Sequence, residues 1–222
     1  GTNRRSHPRA DACTDRDANR PTWPGRELAV ARKQLSIRIT GGSARGSVLR
    51  GPVGGDLRPT SGLLRESLFG MLDAADVDMT EVVDLYAGTG ALGIEALSRG
   101  ADRCTFVESD AAACRAIDEN LKRVRMAERA SVVRDRVGRW HPQEATRFTL
   151  VLADPPYAHA GSWEEIKQSI DGALTPDAFL MIEHSAREHP PVALLGRSMW
   201  RDRRQGDGAI AVYRSLERED AA

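Results

Sequence analysis

Two short runs of residues carry most of the chemistry in this chain. Gly88-Thr89-Gly90-Ala91-Leu92-Gly93 follows an apolar stretch and opens an amphipathic one, and Glu108 stands 20 residues beyond Gly88. Glycines there let a backbone approach a ligand where a Cβ would clash. An acidic residue at the end of the next strand accepts the hydroxyl protons of a ribose. The pattern serves dinucleotides and S-adenosylmethionine equally well. Asp84, inside the preceding strand, favours S-adenosylmethionine, because a carboxylate suits an ammonium group and repels a pyrophosphate.

The second run is Asp154-Pro155-Pro156-Tyr157, at the end of the apolar stretch 149–153. Prolines hold the backbone rigid and leave carbonyls to be presented. That suits a planar exocyclic amine, a weak nucleophile whose lone pair is delocalised into its ring. Hydrogen bonds from the amine to the Asp154 carboxylate and the Pro155 carbonyl would hold it for attack on a sulfonium methyl. Catalysis is then mostly positioning and electrostatics. Tyr157 would stack on the base. None of the five histidines stands in a catalytic arrangement, His159 beside Tyr157 included. A rigid turn is the bland alternative for Asp-Pro-Pro, and a tight strand–helix turn is the bland alternative for the glycines.

Both runs need strand ends to place them. From residue 80 onward strands and helices alternate. Strands are expected at 82–85, 105–107, 131–133, 149–153 and 179–182, with helices at 91–99, 111–124 and 163–173. A final pair near 198–203 and 209–215 flanks Gly206-Asp207-Gly208, a hairpin turn. This predicts a mainly parallel α/β sheet with helices on both faces and an antiparallel end. Upstream, Ser36–Thr40 and Ser47–Leu49 read as a hairpin broken at Gly41-Gly42. A helix is expected over 61–73, with Leu64, Leu68, Met71 and Leu72 on one face.

Three units follow: a mobile basic tail over 1–34, with cloning-derived residues expected at its Gly start, a hairpin extension and linker over 35–66, and a catalytic domain over 67–222. The 222 residues carry no net charge, yet residues 1–66 hold 13 Lys and Arg against 6 Asp and Glu. A polyanion would meet that third first. Arg38, Arg45, Arg50, Arg58 and Arg65 are the candidate RNA contacts, with a solvated basic face as the alternative. No apolar run reaches the roughly 20 residues of a spanning helix. Cys13, Cys104 and Cys114 lack metal-ligand spacing and read as thiols of a reducing, cytoplasmic protein, the last two as small buried hydrophobes. No metal site is expected.

The joint pattern resembles a known family. Arg58-Pro59-Thr60 with Arg65-Glu66 and Leu68-Phe69, then Asp84 through Gly100, Phe106-Val107-Glu108 and Asp154 through Tyr157 are similar to the RsmD type of bacterial 16S ribosomal RNA guanine-N2 methyltransferase, acting at guanine 966. The likeness runs from about residue 36 to 216. It implies a class I (Rossmann-like) methyltransferase fold with a mainly parallel seven-stranded sheet, a terminal antiparallel hairpin and an N-terminal β-hairpin extension. It implies action on 16S rRNA within the 30S subunit or its assembly intermediate; a monomer is the default expectation, with oligomeric state left open. By position, Asp84, Tyr86, Gly88, Gly90 and Glu108 would bind S-adenosylmethionine, and Asp154, Pro155, Pro156 and Tyr157 would hold the guanine amine. Arg58 and Arg65 would lie near the substrate mouth. Asp135 is the candidate for the adenine amine, with a solvated loop charge as its alternative. The rivals are an adenine-N6 DNA methyltransferase, an NAD-dependent oxidoreductase and a non-catalytic RNA-binding module.

Overall fold

The computed structural model describes residues 36–52, 62–156 and 161–215. The expectations for residues 1–34, Arg58, Tyr157 and His159 lie outside them. β1 (Ser36–Arg38) and β2 (Val48–Arg50) form an antiparallel hairpin. α1 (Gly62–Ala74) follows, and then the alternation begins: β3 (Glu81–Leu85), α2 (Ala91–Arg99), β4 (Arg103–Glu108), α3 (Ala111–Arg123), β5 (Ala130–Arg134), β6 (Phe148–Ala153), α4 (Ser162–Ile170) and β7 (Leu174–Ser185). β8 (Ala193–Leu194), β9 (Arg197–Gln205) and β10 (Gly208–Arg214) complete the large sheet. Its order is β5-β4-β3-β6-β7-β10-β9-β8. β3 to β7 run parallel, and β10 lies antiparallel to both β7 and β9. These are the seven expected strands. The two-residue β8 adds an eighth at the edge, too short for any periodicity to announce it.

Most element bounds shift by one or two residues from the sequence reading, and two shift further. α4 stops at Ile170, because Gly172 takes a positive φ of 72° and turns the chain. β7 begins at Leu174, well before the apolar run 179–182, pairing first with Phe148 across an irregular register.

Alternation within strands divides the core. Val82, Phe106, Leu150 and Leu152 point to the side covered by α1, α2 and α3. Val83, Leu85, Val107 and Val151 point to the side covered by α4. Fully burying side chains of this size contributes about 1.5–3 kcal/mol each. Cys104 and Cys114 are buried free thiols, as small hydrophobes would be. Gly93 shows how tightly α2 sits on the sheet. A Cβ there would fall 2.4 Å from Phe106 Cε1 and 2.7 Å from Cys104 Sγ.

The hairpin belongs to the same packing. Ile37, Ile39 and Leu49 are buried in the α1–α3 cluster. At Gly42, where φ is +73°, a Cβ would overlap the Ser98 carbonyl. Glu95, fully buried on α2, accepts from Thr40 N (2.9 Å), Thr40 Oγ1 (2.7 Å) and Gly41 N (2.7 Å). Arg99 Nε reaches the same carboxylate at 3.0 Å and Arg65 Nε stands 3.5 Å away. Asn120 clasps both the N–H and the carbonyl of Arg50 at 3.0 Å. α1 runs unbroken through residue 67. Among the described residues no helix is long and apolar enough to cross a membrane.

Candidate active site

The sheet order reverses between β3 and β6. β3 is followed by a helix on one face and β6 by a helix on the other, which opens a crevice at their carboxyl ends. The glycine loop and the Asp154 segment both fall there. Asp154 N donates to Leu85 O at 3.4 Å, tying the end of β6 to the end of β3. Tyr86, Gly88 and Gly90 hold positive φ values of 57°, 55° and 75°. This left-handed path carries the chain from the strand into α2.

Gly90 occupies the N-cap position of α2 and has no side chain with which to cap it. Asp84 supplies the missing acceptor from the adjacent strand: Gly93 N donates to Asp84 Oδ2 at 2.8 Å. The carboxyl lies beneath the loop, 1% exposed. Burial pushes its pKa well up, the Gly93 hydrogen bond opposes that, and the neighbouring Asp154 and Glu108 charges raise it further. Three carboxyl groups therefore share one strand-end region. Asp84 is the one underneath, holding the loop.

Glu108 ends β4 on the open side. One oxygen accepts from Gly88 N at 2.9 Å and the other from Asp110 N at 2.7 Å. Each carboxylate oxygen has a second lone pair, so the group retains acceptor capacity. Asp110 in turn caps α3 through Ala112 N and Ala113 N. Asp135 lies across the crevice, with its backbone N–H on Glu108 O at 3.1 Å. Its carboxylate accepts from Arg136 N and Arg139 Nε, both at 2.8 Å, which lowers its pKa.

The resulting cleft is lined by Tyr86, Val107, Glu108, Ser109, Asp135, Arg136, Val137, Pro156 and Glu165. Its walls are apolar (Val107, Val137, Pro156 and the Tyr86 ring) and its polar groups are mainly carboxylates. One cation, Arg136, stands on the exposed rim. Such a lining fits a ligand with a flat apolar ring, hydroxyls and positive charge. It suits a diphosphate poorly.

One site feature, the partner of Tyr86, carried no sequence signal. Tyr86 Oη donates to Glu165 Oε2 at 2.7 Å, bridging the glycine loop to α4. Burial, then the Glu165 contact, raises the Tyr86 pKa and keeps the phenol protonated. Glu95 did have a signal, a lone acid between Ile94 and Ala96 in the apolar run 91–97.

Of the five arginines read as RNA contacts, Arg38, Arg45 and Arg50 are exposed on the hairpin. Arg65 is corrected. It is 1% exposed, beside Glu95, with Nη2 donating to Arg38 O at 2.7 Å. Its guanidinium anchors the hairpin and is not presented to a polyanion. It sits next to Leu64 on the stripe that also carries Leu68, Phe69 and Leu72, so α1 turns it inward.

A family model described as conserved hypothetical protein 95 matches residues 37–214. The chain is 35% identical to the ribosomal RNA small subunit methyltransferase D of Escherichia coli strain K12, over 80% of this chain and 89% of that one. It is 28% identical to the protein of the same name from Haemophilus influenzae, over 81% and 94%. The solved structure of yhhF from Escherichia coli superposes with a TM-score of 0.68 at 34% identity, covering 82% of this chain and 98% of that one. The crevice, its glycine loop and its Asp-Pro-Pro corner thus lie within a matched stretch that covers nearly all of the described residues, and the chain belongs to the RsmD family of methyltransferases.

Proposed function

We propose that this protein transfers the methyl group of S-adenosylmethionine to the exocyclic N2 amine of a guanine in 16S ribosomal RNA, guanine 966 by its family resemblance. The observation that carries this reading is the juxtaposition at the β3/β6 crevice. The rigid Asp154-Pro155-Pro156 corner is hydrogen-bonded to the strand that bears the glycine loop, and Pro156 lines one cleft with Glu108.

When bound, S-adenosylmethionine supplies an electrophilic methyl on a cationic sulfur. Glu108 would accept from its ribose hydroxyls. Val107, Val137 and Pro156 would hold its adenine, with Asp135 as the candidate acceptor for the adenine amine. Asp84 keeps the loop folded, and Glu108 and Asp154 make the crevice negative where the ligand is positive. Asp154 would accept a hydrogen bond from the guanine amine and stabilise the positive charge that develops on nitrogen as the N–C bond forms and the methyl–sulfur bond breaks, the neutral thioether leaving and the surplus amine proton passing through Asp154 to solvent. Pro155 offers its carbonyl to the second amine proton.

The relatives named for small-subunit ribosomal RNA support the acceptor, as do the exposed Arg38, Arg45 and Arg50. Labelled methyl transfer to 30S subunits lacking the modification, set against duplex DNA, tests the reading. Label should enter 16S RNA. Label entering only DNA adenine overturns it.

A further inference from the structure

The far edge of the sheet holds a basic surface outside the hairpin. Arg201 and Arg203 on β9 are exposed and have no acidic partner among the described residues, whereas Arg204 is paired with Asp202 at 3.1 Å. Register fixes where this surface lies. Ala153, the residue before Asp154, pairs with Ile182, Ile182 with Ala211, and Ala211 with Asp202. Asp202 is thus in the same row as the end of β6, three strands away, or about 14 Å at the usual strand spacing. β9 runs in the same direction as β6, so Arg203 lies just past that row, at the sheet end where Asp154 and Glu108 stand.

The local geometry is specialised. Neighbours in a regular strand point to opposite faces. The register shifts between Val212 and Tyr213, and this bulge places Trp200 as the extra residue beside Arg201. The Arg201 guanidinium stacks on the Trp200 ring at 4.6 Å, and Arg214 stacks on it at 4.8 Å. Trp200 is itself fixed edge-on to Phe179 at 6.2 Å. Arg201 and Arg203 lie opposite Val212 and Ile210, both members of the core cluster that also holds the hairpin residues Ile37 and Leu49. The basic row and the basic hairpin therefore share one face of the sheet.

Charges on an open edge strand also discourage pairing with another sheet. That accounts for arginines on β9, but not for a bulge that stacks two guanidiniums on one indole. The Arg201 guanidinium, stacked on the indole and donating to Trp200 O at 3.2 Å, loses little further freedom on meeting a phosphate.

We propose that the bulged row of Arg201, held by Trp200, and Arg203 two residues on binds phosphates of the RNA strand flanking the methylated base. This rests on the reading that the substrate is RNA. The test uses the full chain, the Arg201→Gln/Arg203→Gln double variant and the matching double Lys variant. Affinity for unmodified 30S subunits and for naked 16S RNA is measured between about 50 and 200 mM salt. The Gln variant should lose roughly tenfold in affinity, and its log–log salt slope should flatten by about 1.4, two contacts at ~0.7 each. S-adenosylmethionine binding should be unchanged, and the Lys variant should keep the parent slope. An unchanged slope in the Gln variant overturns the proposal. So does a loss that Lys does not rescue, which marks a packing effect, and so does a loss on 30S but not on naked RNA, which assigns the row to a ribosomal protein. A parent protein that binds S-adenosylmethionine but neither binds nor methylates RNA overturns the functional reading itself, and this proposal with it.

Discussion

Two charged clusters, both touching α2, are built on opposite principles. Around Glu95, one buried carboxylate meets Arg65, Arg99, a hydroxyl and two backbone N–H groups, so unlike charges answer each other in a dry interior. Around the loop at the start of the helix, Asp84, Glu108 and Asp154 gather like charge, and the donors on Asp84 and Glu108 are mainly backbone N–H groups. The first cluster is electrostatically closed and fixes the hairpin in place. The second keeps a negative potential at an open cleft, where a cationic ligand gains most. Within one helix, the difference separates charge used for structure from charge held ready for a ligand.

The sharpest way to break the contrast is at Glu95. Glu95→Ala leaves Arg65 buried without its counter-charge and Thr40 and Gly41 without their acceptor, and should cost about 3–5 kcal/mol in denaturant unfolding. Glu95→Gln, which keeps acceptor capacity for the backbone donors, should cost less. Equal, small losses in both would show that the cluster does not hold the hairpin. Next in size is Gly93→Ala, where the new Cβ must displace Phe106 and Cys104, at about 1–3 kcal/mol by thermal or denaturant unfolding.

Asp84 tests the other side of the comparison through pH. Its folded pKa is raised, so the native state holds the proton more tightly than the unfolded chain, whose value is near 3.8. Its contribution to stability is therefore fully present below the unfolded value and is lost as pH rises through the folded one. Asp84→Asn keeps an acceptor for Gly93 N and removes that loss. The melting temperature of the variant relative to the parent should climb as pH rises above the ordinary carboxylate range, while S-adenosylmethionine affinity falls. A pH-independent difference would mean that Asp84 is not a strained carboxylate. The smallest effect is expected at Asp110, which caps α3 beside the cleft: Asp110→Ala should cost about 1 kcal/mol.

Much of this was legible in the chain itself. The apolar runs and their glycine and proline stops announce β3 to β7 and α2 to α4, because each element buries a face and needs the matching period. The Asp-Pro-Pro corner and Glu108 fall at strand ends simply by following the apolar runs. Arg65 shows where such reading stops. Its charge is visible in the sequence, but whether it meets RNA or Glu95 depends on how α1 is rotated against the hairpin, a tertiary fact. Asp84 is similar, since its position in a strand was plain while its role as a remote cap for α2 depends on the glycine at position 90. Trp200 and Arg201 share a face only because of a bulge, which no alternation pattern reveals.

The central claim concerns the acceptor at Asp154. Digestion of 16S RNA after incubation of unmodified 30S subunits with the protein and S-adenosylmethionine, followed by mass mapping of the modified nucleoside, tests it most directly. The account predicts one N2-methylguanosine, with Asp154→Ala lowering its rate of formation by about 10²–10³-fold while cofactor binding persists. N6-methyladenosine in its place, or an Asp154→Ala variant that methylates at the parent rate, would contradict it.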